Sequence, residues 1–146
     1  MVRRKASLGD VPILVELRKQ QLLDEGEGQP PDHELVAYFA AAISNGSFVS
    51  WIMEEEGDII ATSGVCFYSV PPACSNPTGR TAYITNMYTK PAYRRRGIAT
   101  ELLGMAISEA RARGCRRIWL HASAHGKSIY QKNGFLDLDG FMALKS

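Results

Sequence analysis

Residues 93–100, Tyr93-Arg94-Arg95-Arg96-Gly97-Ile98-Ala99-Thr100, join a β-prone run to a helical one, and few folds have use for a turn of this composition. Thr81 to Thr89 is rich in β-branched and aromatic residues and runs into Lys90-Pro91. Behind the turn, Ile98, Leu102, Leu103, Ala106, Ile107 and Ala110 recur at helical spacing, and Gly114 follows Arg111 and Arg113, which suit a last turn. Glycine and alanine two apart at a helix start let a ligand approach the backbone, while first-turn N–H groups without helical partners point outward at an anion. Three arginines before the glycine add full charge to these partial ones. The octapeptide reads as a turn that holds a pyrophosphate.

The rest of the chain supplies a scaffold. Val2 to Ala6 is an edge-strand candidate, and Asp10 is placed to cap a helix with Pro12 in its first turn and Ile13, Leu14 and Leu17 on one face, fading by Gly26. The acidic, proline-closed segment Asp24 to Asp32 is a loop; a second helix carries Leu35, Phe39 and Ala42 inward until Asn45-Gly46. Phe48 to Glu54 and Ile59 to Val70 form strands around the turn Glu56-Gly57-Asp58, and Pro71 to Gly79 is a loop. Arg117 to His121 is a short buried strand, Ser123 caps a last helix ending at Asn133-Gly134, and Phe135 to Leu144 has room for a terminal hairpin. That order of about seven strands and four helices predicts an α+β, mixed α/β layout with helices packed on a central, mostly antiparallel sheet.

Size and charge narrow the classes. A chain of 146 residues, 45% hydrophobic, fits one domain with a genuine core, expected to span 1–146. With 17 basic and 15 acidic residues the net charge is only +2, so no global field draws the chain to nucleic acid or an anionic membrane. Met1 to Lys5 is basic, but Asp10, Pro12 and Glu16 interrupt any apolar run behind it, and no later segment is long enough to span a bilayer. Cys66, Cys74 and Cys115 form no C-x-x-C pair, which points to a reducing, cytoplasmic setting. His121 and His125 share the spacing of a zinc pair, but a strand-to-helix junction separates them and no third ligand is evident, so no metal is expected.

These residues resemble the GNAT superfamily of acetyl-coenzyme A-dependent N-acetyltransferases. The family's pyrophosphate motif, glutamine or arginine, two residues, glycine, one residue, glycine or alanine, is met by Arg94-Arg95-Arg96-Gly97-Ile98-Ala99. The strand Ala82 to Thr89 before it, the helix behind it, and Ser123-Ala124-His125-Gly126-Lys127-Ser128-Ile129-Tyr130-Gln131-Lys132-Asn133-Gly134-Phe135 match at proper distances. The resemblance implies a GNAT-like sheet in which the strand before the turn and the strand after the helix splay apart, so that the pantetheine arm inserts nearly as an added strand. It implies that Met87, Tyr88 and Thr89 offer main-chain groups to the arm. Arg94, Arg95, Arg96, Gly97, Ile98, Ala99 and Thr100 would hold the pyrophosphate, and Ser123 would fix the cofactor near its thioester. Tyr130 would be the catalytic acid that protonates the departing thiolate.

One family feature is missing. Many relatives carry a glutamate base where this chain has Thr85, with Asn86 next, so a proton route through water to Glu25, Glu27, Asp32 or His33 is the expectation instead. Asp24, Glu25, Glu27 and Asp32 suit a cationic amine at the acceptor mouth, although surface loops are also acidic for solubility alone, and the Pro71–Gly79 loop would form the opposite wall. The partner implied is an amine acceptor of unspecified identity; a homodimer is compatible, since dimers are common among relatives. The alternative reading is an acyl-coenzyme A-binding sensor without turnover. A nucleic-acid contact through the arginine run predicts steeply salt-dependent oligonucleotide binding instead.

Overall fold

The computed structural model describes residues 1–146. Ten elements follow in chain order: β1 (Val2–Lys5), α1 (Val11–Asp24), α2 (Asp32–Asn45), β2 (Phe48–Val49), β3 (Trp51–Glu55), β4 (Asp58–Ser69), β5 (Arg80–Thr89), α3 (Ile98–Ala112), β6 (Arg117–Leu120) and α4 (Lys127–Lys132). The strands form one sheet in the order β1-β3-β4-β5-β6, with β2 also on β4; all pairs are antiparallel except β5 and β6. No helix is long and apolar enough to cross a membrane.

Both faces of the sheet are covered. Val11, Leu14, Val15 and Leu17 of α1 and Phe39 and Ala42 of α2 pack with Phe48, Ile52, Ile59 and Tyr88 on one side. Leu103, Ala106 and Ala110 of α3 pack with Val65, Ala82 and Ile84 on the other, with Ile129 and Tyr130 at that cluster's margin. The i, i+3, i+4, i+7 spacing in α3 is what buries one stripe of the helix while Arg111 and Arg113 stay at its solvated end. Asp10 sits at the start of α1, but its carboxylate accepts from Ser7 N–H (2.7 Å) and from Arg4 (2.8 and 2.9 Å) instead of capping the helix. Glu56 and Gly57, both at positive φ, make the tight β3–β4 turn closed by Glu55 opposite Asp58.

Two features of β5 shape what lies beyond it. Thr62 stands opposite Tyr88 and Gly64 opposite Thr85, so β5 carries one more residue than β4 across this interval, a β-bulge with Asn86 at φ 54°. Thr62 Oγ1 donates to the displaced Asn86 carbonyl at 2.8 Å, which satisfies the group the bulge removes from the ladder. On its other edge β5 pairs with β6 only from Thr81–Arg117 to Ile84–Leu120. From Thr85 to Thr89 that edge has no neighbouring strand, and the splayed pair expected from the sequence is there.

The ends of two elements differ from expectation. Ser123 does not begin the last helix: its Oγ accepts from Gly126 N–H at 3.2 Å and its carbonyl from Gly126 and Lys127 N–H at 3.1 Å, making a separate turn, so α4 starts four residues later. The terminal hairpin over Phe135 to Leu144 does not form, and the sheet has six strands. Asp137 and Asp139 alternate with Leu136 and Leu138, leaving little to bury; the segment is held by Phe141 stacked on Trp119 (5.3 Å between centroids) and by Lys127 paired with Asp137 at 3.3 Å.

Candidate active site

The turn between β5 and α3 begins with Pro91–Tyr93 in a single 3₁₀ turn, after which Arg95 and Gly97 both take left-handed conformations, φ 65° and 78°. Two such residues in alternation point successive N–H groups toward one side. Arg94 N–H is used by Pro91 O at 3.3 Å, and Glu101 N–H by Gly97 O at 3.1 Å. Between them the amides of Arg95, Arg96, Gly97, Ile98, Ala99 and Thr100 donate to no group of the protein. A β carbon added at Gly97 would meet nothing within 4 Å, so the space before these donors is open. Ile98, buried to 5%, anchors the helix beneath, while Arg94 to Gly97 lie at the surface. Amides left without protein partners at a helix N-terminus, with arginines beside them, form an arrangement suited to an anion.

The three arginines do different things. Arg94 Nε donates to Thr89 O at 2.8 Å, its Nη2 pairs with Asp24 at 3.1 Å, and its guanidinium lies 5.4 Å from the Tyr88 ring, so it ties the end of β5 to the end of α1. Arg96 lies over the Tyr93 ring at 5.3 Å. Arg95 makes no hydrogen bond or ion pair with the protein.

On the open edge of β5, Lys90 N–H donates to Ile60 O at 2.9 Å, so strand alternation turns the main chain of Tyr88 toward β4 and that of Met87 and Thr89 away from it. Met87 O and Thr89 O are indeed met there by side chains, Gln21 Nε2 at 3.5 Å and Arg94 Nε.

Tyr130, on α4, packs against the same core cluster as Met87. Its ring packs edge-on against Phe135 with centroids 5.9 Å apart, and Gly126 leaves it room: a β carbon there would lie 3.0 Å from Tyr130 Cε2. Burial, reinforced by the charge of Glu25 and by Tyr83, pushes the Tyr130 phenol up to about 12, so at neutral pH it is a proton donor. Ser123 lies one turn before α4, its Oγ committed to Gly126 N–H.

Of the residues weighed as a proton route, Glu25 lies 3.5 Å from Gln21 Nε2, the group that also reaches Met87 O. Asp32 instead pairs with Lys19 at 3.0 Å, and His33 lies beside Glu34 at 3.7 Å on the exposed start of α2. Thr85 Oγ1 donates to Asn86 Oδ1 at 3.2 Å. The structure adds residues that sequence reasoning did not single out: Arg18 and Gln21 on α1, and Tyr83, whose hydroxyl bonds His121 Nδ1 at 2.9 Å. The α1 pair sits three apart beside Leu14, Leu17 and Leu22, a spacing visible in the sequence but uninformative until β5 is laid beneath it.

Comparison with known proteins agrees with this geometry. The model of the acetyltransferase (GNAT) family matches residues 14–135. A predicted acetyltransferase from Clostridium acetobutylicum, whose crystal structure was solved with acetyl-CoA, is 44% identical and superposes with a TM-score of 0.94 over 99% of this chain and 95% of its own. The uncharacterized N-acetyltransferase YjgM of Escherichia coli (strain K12) is 24% identical over 94% of this chain and 83% of its own length. Thialysine N-epsilon-acetyltransferase of Mus musculus is 26% identical over 94% and 76%. The chain belongs to the GNAT acetyltransferase family. It is an acyltransferase of the N-acetylating kind, and no comparison favours a sensor without turnover.

Proposed function

We propose that the chain moves an acetyl group from acetyl-CoA directly to the amine of an acceptor, with the amides of 95–100 clasping the diphosphate, the outward main chain of Met87 and Thr89 receiving the pantetheine arm, and Tyr130 serving as general acid. Tyr88 and Ser123 frame the same opening. Three observations support this reading: the six free amides of the β5–α3 turn, the unpaired edge of β5 from Thr85 to Thr89, and the protonated phenol on α4. Bound there, the cosubstrate supplies an activated acetyl carbonyl and a thiolate leaving group.

An alkyl ammonium with a pKa near 10.4 is neutral in only about four parts in ten thousand at pH 7, a handicap of roughly 4.6 kcal/mol unless a proton is drawn off. Glu25, whose charge reaches Tyr130, is the carboxylate that draws it toward solvent through water. The amine nitrogen then forms its bond to the acetyl carbon as the carbon–sulfur bond breaks. The sulfur takes the Tyr130 proton, and the phenolate recovers one from the acylated nitrogen. One proton is released for each amide formed.

Three free cysteines are in keeping with a reducing compartment, and the reading places the enzyme in the cytoplasm as one domain. The test is release of free thiol from acetyl-CoA across polyamines, amino acids, aminoglycosides and peptides, with mass spectrometry of the acetylated product. Cofactor binding without thiol release from any amine would contradict turnover.

A further inference from the structure

We propose that the acceptor is a free molecule of the amino-acid class, with a carboxylate several bonds from the amine that is acetylated, and that Arg18 binds this carboxylate. The inference rests on the acetyl-transfer reading above. Arg18, Gln21 and Glu25 lie at i, i+3 and i+7 on α1 and its last turn, one face of the helix, and the seven-residue interval is a rise of about 10 Å. Gln21, buried to 9%, links them: its Oε1 accepts from Arg18 Nη1 at 3.0 Å, and its Nε2 turns to Glu25 Oε1 and Met87 O, both at 3.5 Å. The stripe is thereby laid along the open edge of β5.

Its two ends face different surroundings. Glu25 acts on the Tyr130 hydroxyl. Arg18 lies near Tyr38, Cys66 and Tyr83, whose titrations burial raises and the Arg18 charge partly offsets. These three are joined: Cys66 pairs with Tyr83 across the β4–β5 ladder, and the Tyr38 hydroxyl lies 3.2 Å from Cys66 Sγ.

Arg18 is a partly buried cation with no anionic partner in the protein. Asp10 and Glu54 hold Arg4, Asp24 holds Arg94, Asp32 holds Lys19 and Glu109 holds Lys5 and Arg113, yet the half-buried guanidinium of Arg18 bonds only a neutral carboxamide. A planar, partly desolvated cation without an acidic partner is suited to a carboxylate. With Glu25 drawing an ammonium toward Tyr130 at the opposite end, the stripe matches a ligand of both charges in extended form.

The test uses the full chain with acetyl-CoA and two matched pairs, lysine against cadaverine and ornithine against putrescine, in which only the carboxylate differs. The wild type is expected to favour the amino acids in kcat/KM by about 10²-fold or more. Arg18→Gln should bring them down to the diamines while leaving the diamines unchanged, and Arg18→Lys should restore part of the preference. Diamines used as well as amino acids, or Arg18→Gln lowering both pairs equally as loss of a mere support for Gln21 would, overturn the proposal. Calorimetry of lysine binding to the coenzyme A complex separates the two layers of the account. Carboxylate-dependent binding lost in Arg18→Gln, without thiol release from any amine, upholds Arg18 and refutes transfer; thiol release without carboxylate preference does the reverse.

Discussion

Gly64 and Asn86 meet across the sheet so closely that a β carbon on the glycine would lie 3.0 Å from the β carbon of the asparagine, and 2.8 Å from the Phe48 ring. The glycine is what lets β5 bulge toward β4 at the point where its far edge opens. Gly64→Ala forces the Phe48 ring or the bulge to move, and overpacking of this kind costs about 1–3 kcal/mol. Urea unfolding should register that loss, and the folded fraction should bind coenzyme A more weakly than wild type. A variant as stable as the parent would show that the bulge is not held from this side.

Gly97 is the opposite case. A β carbon there meets no protein atom within 4 Å, so the main cost of Gly97→Val in the free protein is the left-handed backbone, on the order of 1–2 kcal/mol. Its side chain would instead stand before the free amides. Calorimetry should find coenzyme A affinity reduced at least about tenfold in a variant that remains folded, equivalent to about 1.4 kcal/mol. An unchanged Kd would contradict the cradle.

The contrast between these glycines marks what a sequence can tell. Gly97 was legible because a local pattern surrounds it: a β-prone run, arginines, and a helix whose apolar residues recur on one face. The same local signals place α1, α2, α3 and the β3–β4 turn. Gly64 was not legible, since its constraint comes from Phe48 and Asn86, distant in the chain and brought near only by strand register. Arg94 illustrates the same limit, because its bond to Asp24 joins two elements seventy residues apart. The Arg18 stripe was hidden for that reason too. Phe135 to Leu144 failed in the other direction: its alternation reads as strand, but no partner strand satisfies it and the structure leaves Leu136, Met142 and Leu144 almost wholly exposed.

Tyr130→Phe removes one oxygen from a packed ring and leaves the cradle intact. Loss of a general acid is expected to lower kcat on the order of 10²-fold while Kd for coenzyme A stays close to wild type. Because burial holds the wild-type phenol protonated up to about 12, activity should rise with pH as the acceptor amine loses its proton and should not decline on account of Tyr130 below that range. Steady-state rates from neutral to alkaline pH check both points. Wild-type turnover by the phenylalanine variant would dismiss the acid role.

Asp10 governs acid stability at the other end of the molecule. The hydrogen bond from Arg4 leads in holding its carboxyl down to about 2, below the roughly 3.9 of an unfolded aspartate. A group depressed in the folded state stabilises it above the unfolded value and loses that contribution as pH falls through the folded one. Asp10→Asn should therefore be less stable than wild type near neutrality, with the difference shrinking between about pH 4 and pH 2. Urea midpoints followed by circular dichroism across that interval test the sign.

The central claim is that the amides of 95–100 receive the diphosphate of acetyl-CoA, and an amide-resolved NMR titration of the ¹⁵N-labelled protein reads those groups directly. With coenzyme A added, the account predicts that the largest downfield proton shifts fall within Arg95 to Thr100, that they recur with the adenosine bisphosphate half of the cofactor alone, and that they vanish with pantetheine. Shifts concentrated elsewhere, with these amides unmoved at saturating cofactor, would contradict it.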